Sequence, residues 1–392
     1  MPMSISVQHT PLRLCNARTV TSEGLRDDLD LLLQDGRIAQ LLAPSEPSPG
    51  ERWDLGDKLV LPGFIDTQVN GGGGVLFNDA PTPETVVTIA QAHAHFGTTG
   101  LLPTLITDHL EVVAAGVQAV DAAIAAGTPG VLGIHIEGPF LDEARRGIHD
   151  ANRLQQLTDE LVETLTPLRH GTTMITVAPE HTTPQQIARL VARGFVVSAG
   201  HSGADYDTVS AAIDAGISGF THLFNAMSPL TSRAPGMVGA ALDHAHTFAG
   251  IIADDHHLAD ASLRVALRCK GPEGLMLVTD AMPPVGTDAS QFELHGKTIH
   301  VRDGACLDAQ GTLAGAALDM ARALRTVQRA TGCSLTDASR MASDTPARFL
   351  GQHQMRGRIA AGLAADLAIL DGEQQPFATV IAGQTVWQRD SH

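Results

Sequence analysis

Two histidines, His201 and His222, stand 21 positions apart within VVSAGHSGADYDTVSAAIDAGISGFTHLFNAM, residues 196–227. Imidazole binds transition metals and moves protons near neutral pH, so such a pair invites a chemical reading. One histidine alone is more often a hydrogen-bonded structural residue. What joins the pair decides its meaning. HIEGPF carries Glu137 and LVTDAM carries Asp280. Glu137 by itself reads equally well as an ordinary surface carboxylate. Taken together, the four side chains match a hydrolytic metal site. Glu137, His201 and His222 would supply three ligands to one divalent ion and leave a position open for water, as catalytic sites do. Asp280 would then transfer the proton. Zinc suits this donor set first, with iron, cobalt and manganese also compatible.

Residues so far apart in sequence need elements that bring them to one point. Residues 195–199 form an apolar run between Gly194 and Gly200, as in a strand buried on both faces. Asp205 precedes Val209, Ala212, Ile213 and Ile217 at helical spacing, and 219–224 reads as a second strand. Strand, helix and strand at this spacing make a βαβ unit, whose parallel strands end at the same sheet edge. Further strands are expected at 59–66, 101–106, 131–137, 173–178, 248–253 and 275–279. Helices are expected to begin at Thr82-Pro83-Glu84 and at Ser334, the latter with Asp337 three residues on. Eight strands over this length predict a (β/α)₈ TIM-like barrel, with its chemistry at the C-terminal strand ends. Glu137, His201, His222 and Asp280 fall at the ends of the third, fifth, sixth and eighth.

The flanks have another texture. Residues 1–58 and 351–392 read as short strands and turns, two halves of one small β-sandwich domain built from both termini, with the barrel at 59–350. A hairpin is expected over 288–312, turning at Asp303-Gly304. Gly71–Gly74 could pass for a phosphate loop, but no helix follows and no GxxxxGK[ST] is present. A net charge of −17 argues against nucleic acid or an anionic membrane as partner, and obliges any anionic substrate to find local positive charge. The Ala-rich run 112–126 is too short and too polar to span a membrane. Cys15, Cys269, Cys306 and Cys333 show no CxxC pairing, and no signal-peptide pattern opens the chain. These point to a reduced, cytoplasmic protein.

On PGFIDTQVNGGGG (62–74), HIEGPF (135–140), GIHD (147–150), SAGHS (198–202), THLFNAM (221–227) with Arg233 after it, GIIADDHH (250–257), LVTDAM (277–282) and TLAG (312–315), the chain resembles the amidohydrolase superfamily. Within it, the resemblance is to the N-acetylglucosamine-6-phosphate deacetylases. It implies hydrolysis of the N-acetyl amide of a phosphorylated amino sugar, with the metal on Glu137, His201 and His222. It also implies Asp280 as general base and then acid, and His149 as the group that polarises the acetyl carbonyl. Asn225, Ala226, Arg233 and His257 are implied to hold the sugar phosphate, and Ile148, Leu313, Ala314 and Gly315 to line the substrate. A homodimer is implied as well, with Arg233 reaching a neighbouring subunit's substrate. Where that family reads GLH, this chain has Asp255-His256-His257, so either histidine is a candidate for the phosphate.

Related two-metal enzymes carry His-x-His at the end of the first barrel strand. Here the positions are Gln68 and Asn70, poor exchanges for imidazole, so a single metal is expected, with the two amides free to bond a water or a substrate hydroxyl. Three rival readings remain. Cyclic-amide hydrolases use a lysine at the fourth strand end, where this chain has Ala178-Pro179-Glu180. A deacetylase for the galactosamine epimer leaves no distinguishing trace in these motifs. A catalytically dead barrel, kept as a scaffold or sugar sensor, would have lost a ligand or the catalytic acid, and this chain retains all four.

Overall fold

The computed structural model describes residues 10–390. Its centre is a ring of parallel strands: β1 Phe64–Val69, β2 Thr98–Ile106, β3 Gly133–Glu137, β4 Thr172–Val177, β5 Phe195–Ala199, β6 Gly219–Phe220, β7 Phe248–Ile251 and β8 Leu275–Leu277. Each pairs in parallel with the next. The ring closes just beyond β8, where the Asp280 N–H donates to the Gln68 carbonyl at 3.0 Å and the Asn70 N–H to the Ala281 carbonyl at 2.9 Å. Asp66 completes this seam. Its carboxylate accepts from the Thr279 hydroxyl at 2.5 Å, the Thr279 N–H at 3.3 Å and the Gln68 N–H at 3.1 Å. Burial lifts the Asp66 carboxyl to about 7.

Helices between the strands start where the sequence signals place them. Thr82 caps Pro83–Ala94 by accepting from the Thr85 N–H, and Asp205 caps Tyr206–Asp214 through the Thr208 N–H. Ser334 does the same for Leu335–Ala342 through Asp337. Their apolar faces, with Ile89, Val209 and Ala338, pack on the barrel wall.

One expected strand divides. The run 59–66 is not a single barrel strand, because Leu59–Pro62 pairs antiparallel with Leu367–Leu370 and parallel with Arg18–Thr21. Only after Gly63 does the chain enter β1. The reason is packing on two sides. Val60, Leu367 and Ile369 face the core of the terminal sandwich, while Leu59, Leu61, Ala368 and Leu370 face the barrel's cluster. A strand shared by two cores shows no alternation, and so reads like a barrel strand. The sandwich itself sets a four-stranded sheet, with Leu12–Cys15 and Asp30–Gln34 at its centre, against the six-stranded sheet that joins both ends of the chain.

Two other expectations shift. β6 covers only 219–220, because His222, Phe224 and Ala226 adopt positive φ (36°, 78° and 54°) and turn the chain out of the strand. The hairpin of 288–312 is a four-stranded meander, Gln291–Leu294, Lys297–Arg302, Ala305–Leu307 and Leu313–Ala316. It turns at His295-Gly296 as well as at Asp303-Gly304. The glycines of 71–74 shape a two-stranded ribbon with Val75–Leu76. A Cβ on Gly71 would stand 2.4 Å from the Val75 carbonyl oxygen.

Asp66→Ala strands the Thr279 hydroxyl and two backbone N–H groups in a dry seam, and should cost roughly 2–4 kcal/mol of stability. Asp66→Asn keeps an acceptor oxygen and should cost distinctly less. Thermal denaturation of both variants checks this. An alanine variant that melts with the wild type would show that the seam closes without Asp66.

Candidate active site

Three donor atoms meet at the barrel mouth. His222 Nε2 lies 3.0 Å from His201 Nε2 and 3.0 Å from Glu137 Oε1, and His201 Nε2 lies 3.3 Å from that same oxygen. All three side chains are buried. Glu137 is the last residue of β3, whereas both histidines leave their strands through the left-handed region, at φ 48° for His201 and 36° for His222. Asp280 does likewise at 52°. Such backbone costs of order 1–3 kcal/mol per non-glycine residue, and is found where surrounding structure enforces it. The turns bring side chains from successive strand ends into one cluster.

The triangle fits a divalent cation. Ligand atoms 2.0–2.1 Å from a tetrahedral zinc stand about 3.3 Å apart. His201 Nδ1 lies 2.9 Å from the Arg145 carbonyl, which must accept, so the proton sits on Nδ1 and the Nε2 lone pair is free for a metal. Burial alone would raise Glu137, but His201 and His222, which donate to it when protonated, hold its carboxyl well below the usual range. Burial works against a proton on His222 too, yet Glu137 raises it above the ordinary value. The spot selects positive charge.

Asp280 faces this triangle and behaves differently. Burial and the neighbouring Glu137 lift it to about 6. Gln68 Nε2 lies between the two carboxylates, 3.1 Å from both Glu137 oxygens and 3.2 Å from Asp280 Oδ1, and Asn70 Nδ2 donates to Asp280 at 2.6 Å. The amides expected to meet a water or a hydroxyl are therefore first engaged with protein carboxylates, because each carries two N–H donors beside unneutralised anions. Asn70 Oδ1 remains buried without a partner, an acceptor still available to a bound molecule.

His149 stands at the other side of the cavity, its ring 4.5 Å from that of His201 and edge-on to it. Its Nδ1 receives the Thr107 N–H at 3.2 Å and lies 2.7 Å from the Thr107 hydroxyl. Burial, and then the neighbouring His201, hold His149 well below its ordinary value. The remaining walls of the cavity, about 190 Å³, include Ile148, Asn225, Ala226, His257, Leu313, Ala314 and Gly315. Gly315 lies against the strand end. A Cβ there would fall 2.5 Å from Met282 Cγ and 2.7 Å from the Asp280 carbonyl oxygen.

Most of the expected residues thus converge. Of the two adjacent histidines, His257 lines the cavity and is held by Asp254 at 2.7 Å, while His256 is exposed and bonds the Asp303 carbonyl. Arg233 does not join. It is exposed on the segment after Met227, and among the described residues lining the cavity there is no arginine or lysine. Sequence reasoning missed Ile106, Ile252, Met282 and Leu294 on the walls, and Thr107 behind His149. Position was the available signal for Thr107, which directly follows the second strand. Glu180, in the short turn Pro179–His181 after β4, points elsewhere, to the Ser202 hydroxyl and the Gly203 N–H.

Comparison with known proteins gives a consistent picture. The amidohydrolase family pattern matches residues 59–389. The chain is 46% identical over 380 residues to the N-acetylgalactosamine-6-phosphate deacetylase of a Shewanella species, covering 95% of each. It is 37% identical over 382 residues to the human N-acetylglucosamine-6-phosphate deacetylase, covering 92% of each. Among solved structures, the Pasteurella multocida N-acetylglucosamine-6-phosphate deacetylase superposes with a TM-score of 0.92 at 33% identity, over 97% of this chain and 100% of that one. A variant of the Mycobacterium smegmatis enzyme in complex with N-acetyl-D-glucosamine-6-phosphate gives 0.88 at 32% identity, over 96% and 99%.

With one fully buried donor triangle among the described residues, and amides at residues 68 and 70, elemental analysis of dialysed, active protein should find one tightly held divalent ion per chain. Glu137→Ala should lose it. Two firmly bound equivalents, both needed for activity, would refute the single-metal reading.

Proposed function

The chain belongs to the amidohydrolase family, and from that premise we propose that it hydrolyses the N-acetyl amide of an N-acetylhexosamine 6-phosphate, giving acetate and the free amino-sugar phosphate. The observation that carries the reading is the shared cavity in which Glu137, His201 and His222 face Asp280, with His149 beside them. The glucosamine derivative is the first substrate. The higher identity to the Shewanella enzyme favours the galactosamine epimer as a second reading.

An unactivated amide needs a strong nucleophile, a polarised carbonyl and a protonated leaving nitrogen. Glu137, His201 and His222 would hold one divalent ion, zinc by choice of ligands, which when bound acidifies a water and draws charge from the acetyl oxygen. Asp280 takes a proton from the attacking water as its oxygen bonds to the acetyl carbon. It returns that proton to the nitrogen as the C–N bond breaks. Lifted to about 6, its carboxyl can both accept and give the proton near neutral pH, while Glu137 stays anionic as a ligand. His149 holds the acetyl oxygen as negative charge grows on it. Asn225 and Ala226 bind the sugar, while Ile148, Leu313, Ala314 and Gly315 shape its bed.

The phosphate needs positive charge, and among the described residues lining one copy of the cavity there is no arginine or lysine. We assign it to His257 and to Arg233 of a second copy in a homodimer. The exposed position of Arg233 supports this assignment. A reduced, cytoplasmic setting is in keeping with the four unpaired cysteines.

An amine-release assay on N-acetylglucosamine and N-acetylgalactosamine, each with and without a 6-phosphate, tests the reading. Turnover should be confined to phosphorylated sugars. Asp280→Asn should lower kcat roughly 10²–10⁴-fold while retaining the metal. A variant within a few-fold of wild type would take Asp280 out of the mechanism.

Arg233→Ala should raise KM for the phosphorylated sugar about tenfold or more, the loss of one charge-assisted contact, with little effect on kcat. Mixing Arg233→Ala with Asp280→Asn protein should restore wild-type-like sites in mixed dimers. Failure of that complementation would place Arg233 outside the neighbouring site.

A further inference from the structure

The chain end of β2 does something that the roles assigned above leave out. Directly after β2, Thr107 and Asp108 both grip the loop that carries His149. The Thr107 N–H donates to His149 Nδ1 at 3.2 Å, and the Thr107 hydroxyl lies 2.7 Å from the same nitrogen. Asp108 Oδ1 accepts from Arg153 Nη1 at 2.6 Å, four residues further along that loop. Asp108 is itself fixed by Asn78 Nδ2 at 3.1 Å, while Asn78 Oδ1 receives the Ile106 N–H at 3.0 Å. Thr107 is fully buried. Room for its hydroxyl exists because the residue after Glu137 is glycine. A Cβ on Gly138 would fall 2.3 Å from Thr107 Oγ1.

A backbone N–H can only donate. Its aim at Nδ1 therefore makes that nitrogen an acceptor, and leaves the ring proton of neutral imidazole on Nε2. Nε2 has no hydrogen-bond partner among the described residues, on a ring that lines the cavity. We infer that Thr107 is a positioning residue, whose N–H and hydroxyl together fix the tautomer and tilt of His149 so that a donor, not a lone pair, meets the acetyl oxygen.

The opposite tautomer would set the Nε2 lone pair against an oxygen gaining negative charge, and the group would repel what it is meant to hold. The hydroxyl adds a second, short contact to the backbone one. Two donors from one residue limit rotation of the ring about its own axis, as preorganised sites require. The Arg153–Asp108 pair holds the same loop four residues further on, so the loop is tethered at two points. This inference rests on the proposed role of His149 in amide hydrolysis.

The test uses the zinc-loaded full chain with ¹⁵N-labelled histidine, the His149 resonances being identified by their loss in His149→Asn. Wild-type protein should show Nε2 protonated and Nδ1 unprotonated, a readout that needs no turnover. Thr107→Val keeps the shape and the N–H but removes the hydroxyl. It should lower kcat about tenfold with KM for the sugar phosphate within about twofold, because a loosened ring weakens the transition state more than substrate binding. Thr107→Ser should recover kcat to within about threefold of wild type. A protonated Nδ1 in the wild-type spectrum overturns the inference. So does a Thr107→Val enzyme with wild-type kcat when His149→Asn is crippled. If His149→Asn itself turns over normally, the role proposed for His149 fails and the kinetic purpose of the clamp with it. A wild-type chain that deacetylates neither sugar refutes the proposed reaction, while the tautomer is still decided by the same spectra.

Discussion

Asp66 sits where the first and last strands of the barrel meet, and the arrangement of the mouth depends on the hydrogen bonds it accepts there. Seven of the strand-to-strand junctions are ordinary parallel pairings. The eighth is a single parallel bridge, Val69 to Ala281, with a gap before it, because β8 ends at Leu277 and the chain beyond it turns to present Asp280. A buried carboxylate that takes the Thr279 hydroxyl and N–H on one side and the Gln68 N–H on the other bridges that gap. Because Gln68 then accepts from the Asp280 N–H, the seam also sets how far Asp280 stands from Glu137. A parallel ring that failed to close would scatter its strand ends and with them the donor atoms.

Beneath the donor triangle the barrel is not filled with aliphatic side chains alone. His135 spans from Thr104 to Thr176, Thr176 bonds Thr221, and Thr221 bonds Ser198, so one buried polar chain links β2 to the residue just past β6. Burial holds His135 down at about 4, so it serves as a neutral connector. These residues lie just before Glu137, His201 and His222 on the same elements. A satisfied polar network in a low-dielectric interior has little freedom to slide, which stiffens the platform that carries the donor triangle.

The two carboxylates at the mouth show how environment divides labour between like groups. Glu137 is ringed by donors and stays anionic, whereas Asp280 feels Glu137 across a shared amide and holds its proton more tightly. Gln68 supplies N–H groups to both, which lets two negative side chains share a small cavity. Histidine at that position would offer a second ion an imidazole, and glutamine offers only an amide oxygen.

Much of this was legible in the residues. Parallel βα repeats oblige strand ends to share an edge, so spacing and apolar runs were enough to place Glu137, His201, His222 and Asp280 together and to expect the barrel. Cap residues at Thr82, Asp205 and Ser334 act locally, and their helices begin where the signal stands. What pattern could not reveal depends on neighbours distant in the chain. Leu59–Pro62 belongs to the sandwich because it finds Leu367–Leu370 more than 300 residues away, and burial on both faces erased the alternation that would have marked it. The left-handed turns at His201, His222 and Asp280 are enforced by packing, not by glycine, and leave no mark in composition. Thr107 reads as one more threonine after a strand until the loop bearing His149 folds over it. The sequence by itself determined which groups reach the mouth, since period and spacing are local properties of the chain. Only tertiary structure decided how each is held and protonated there, since that depends on partners the chain meets after folding.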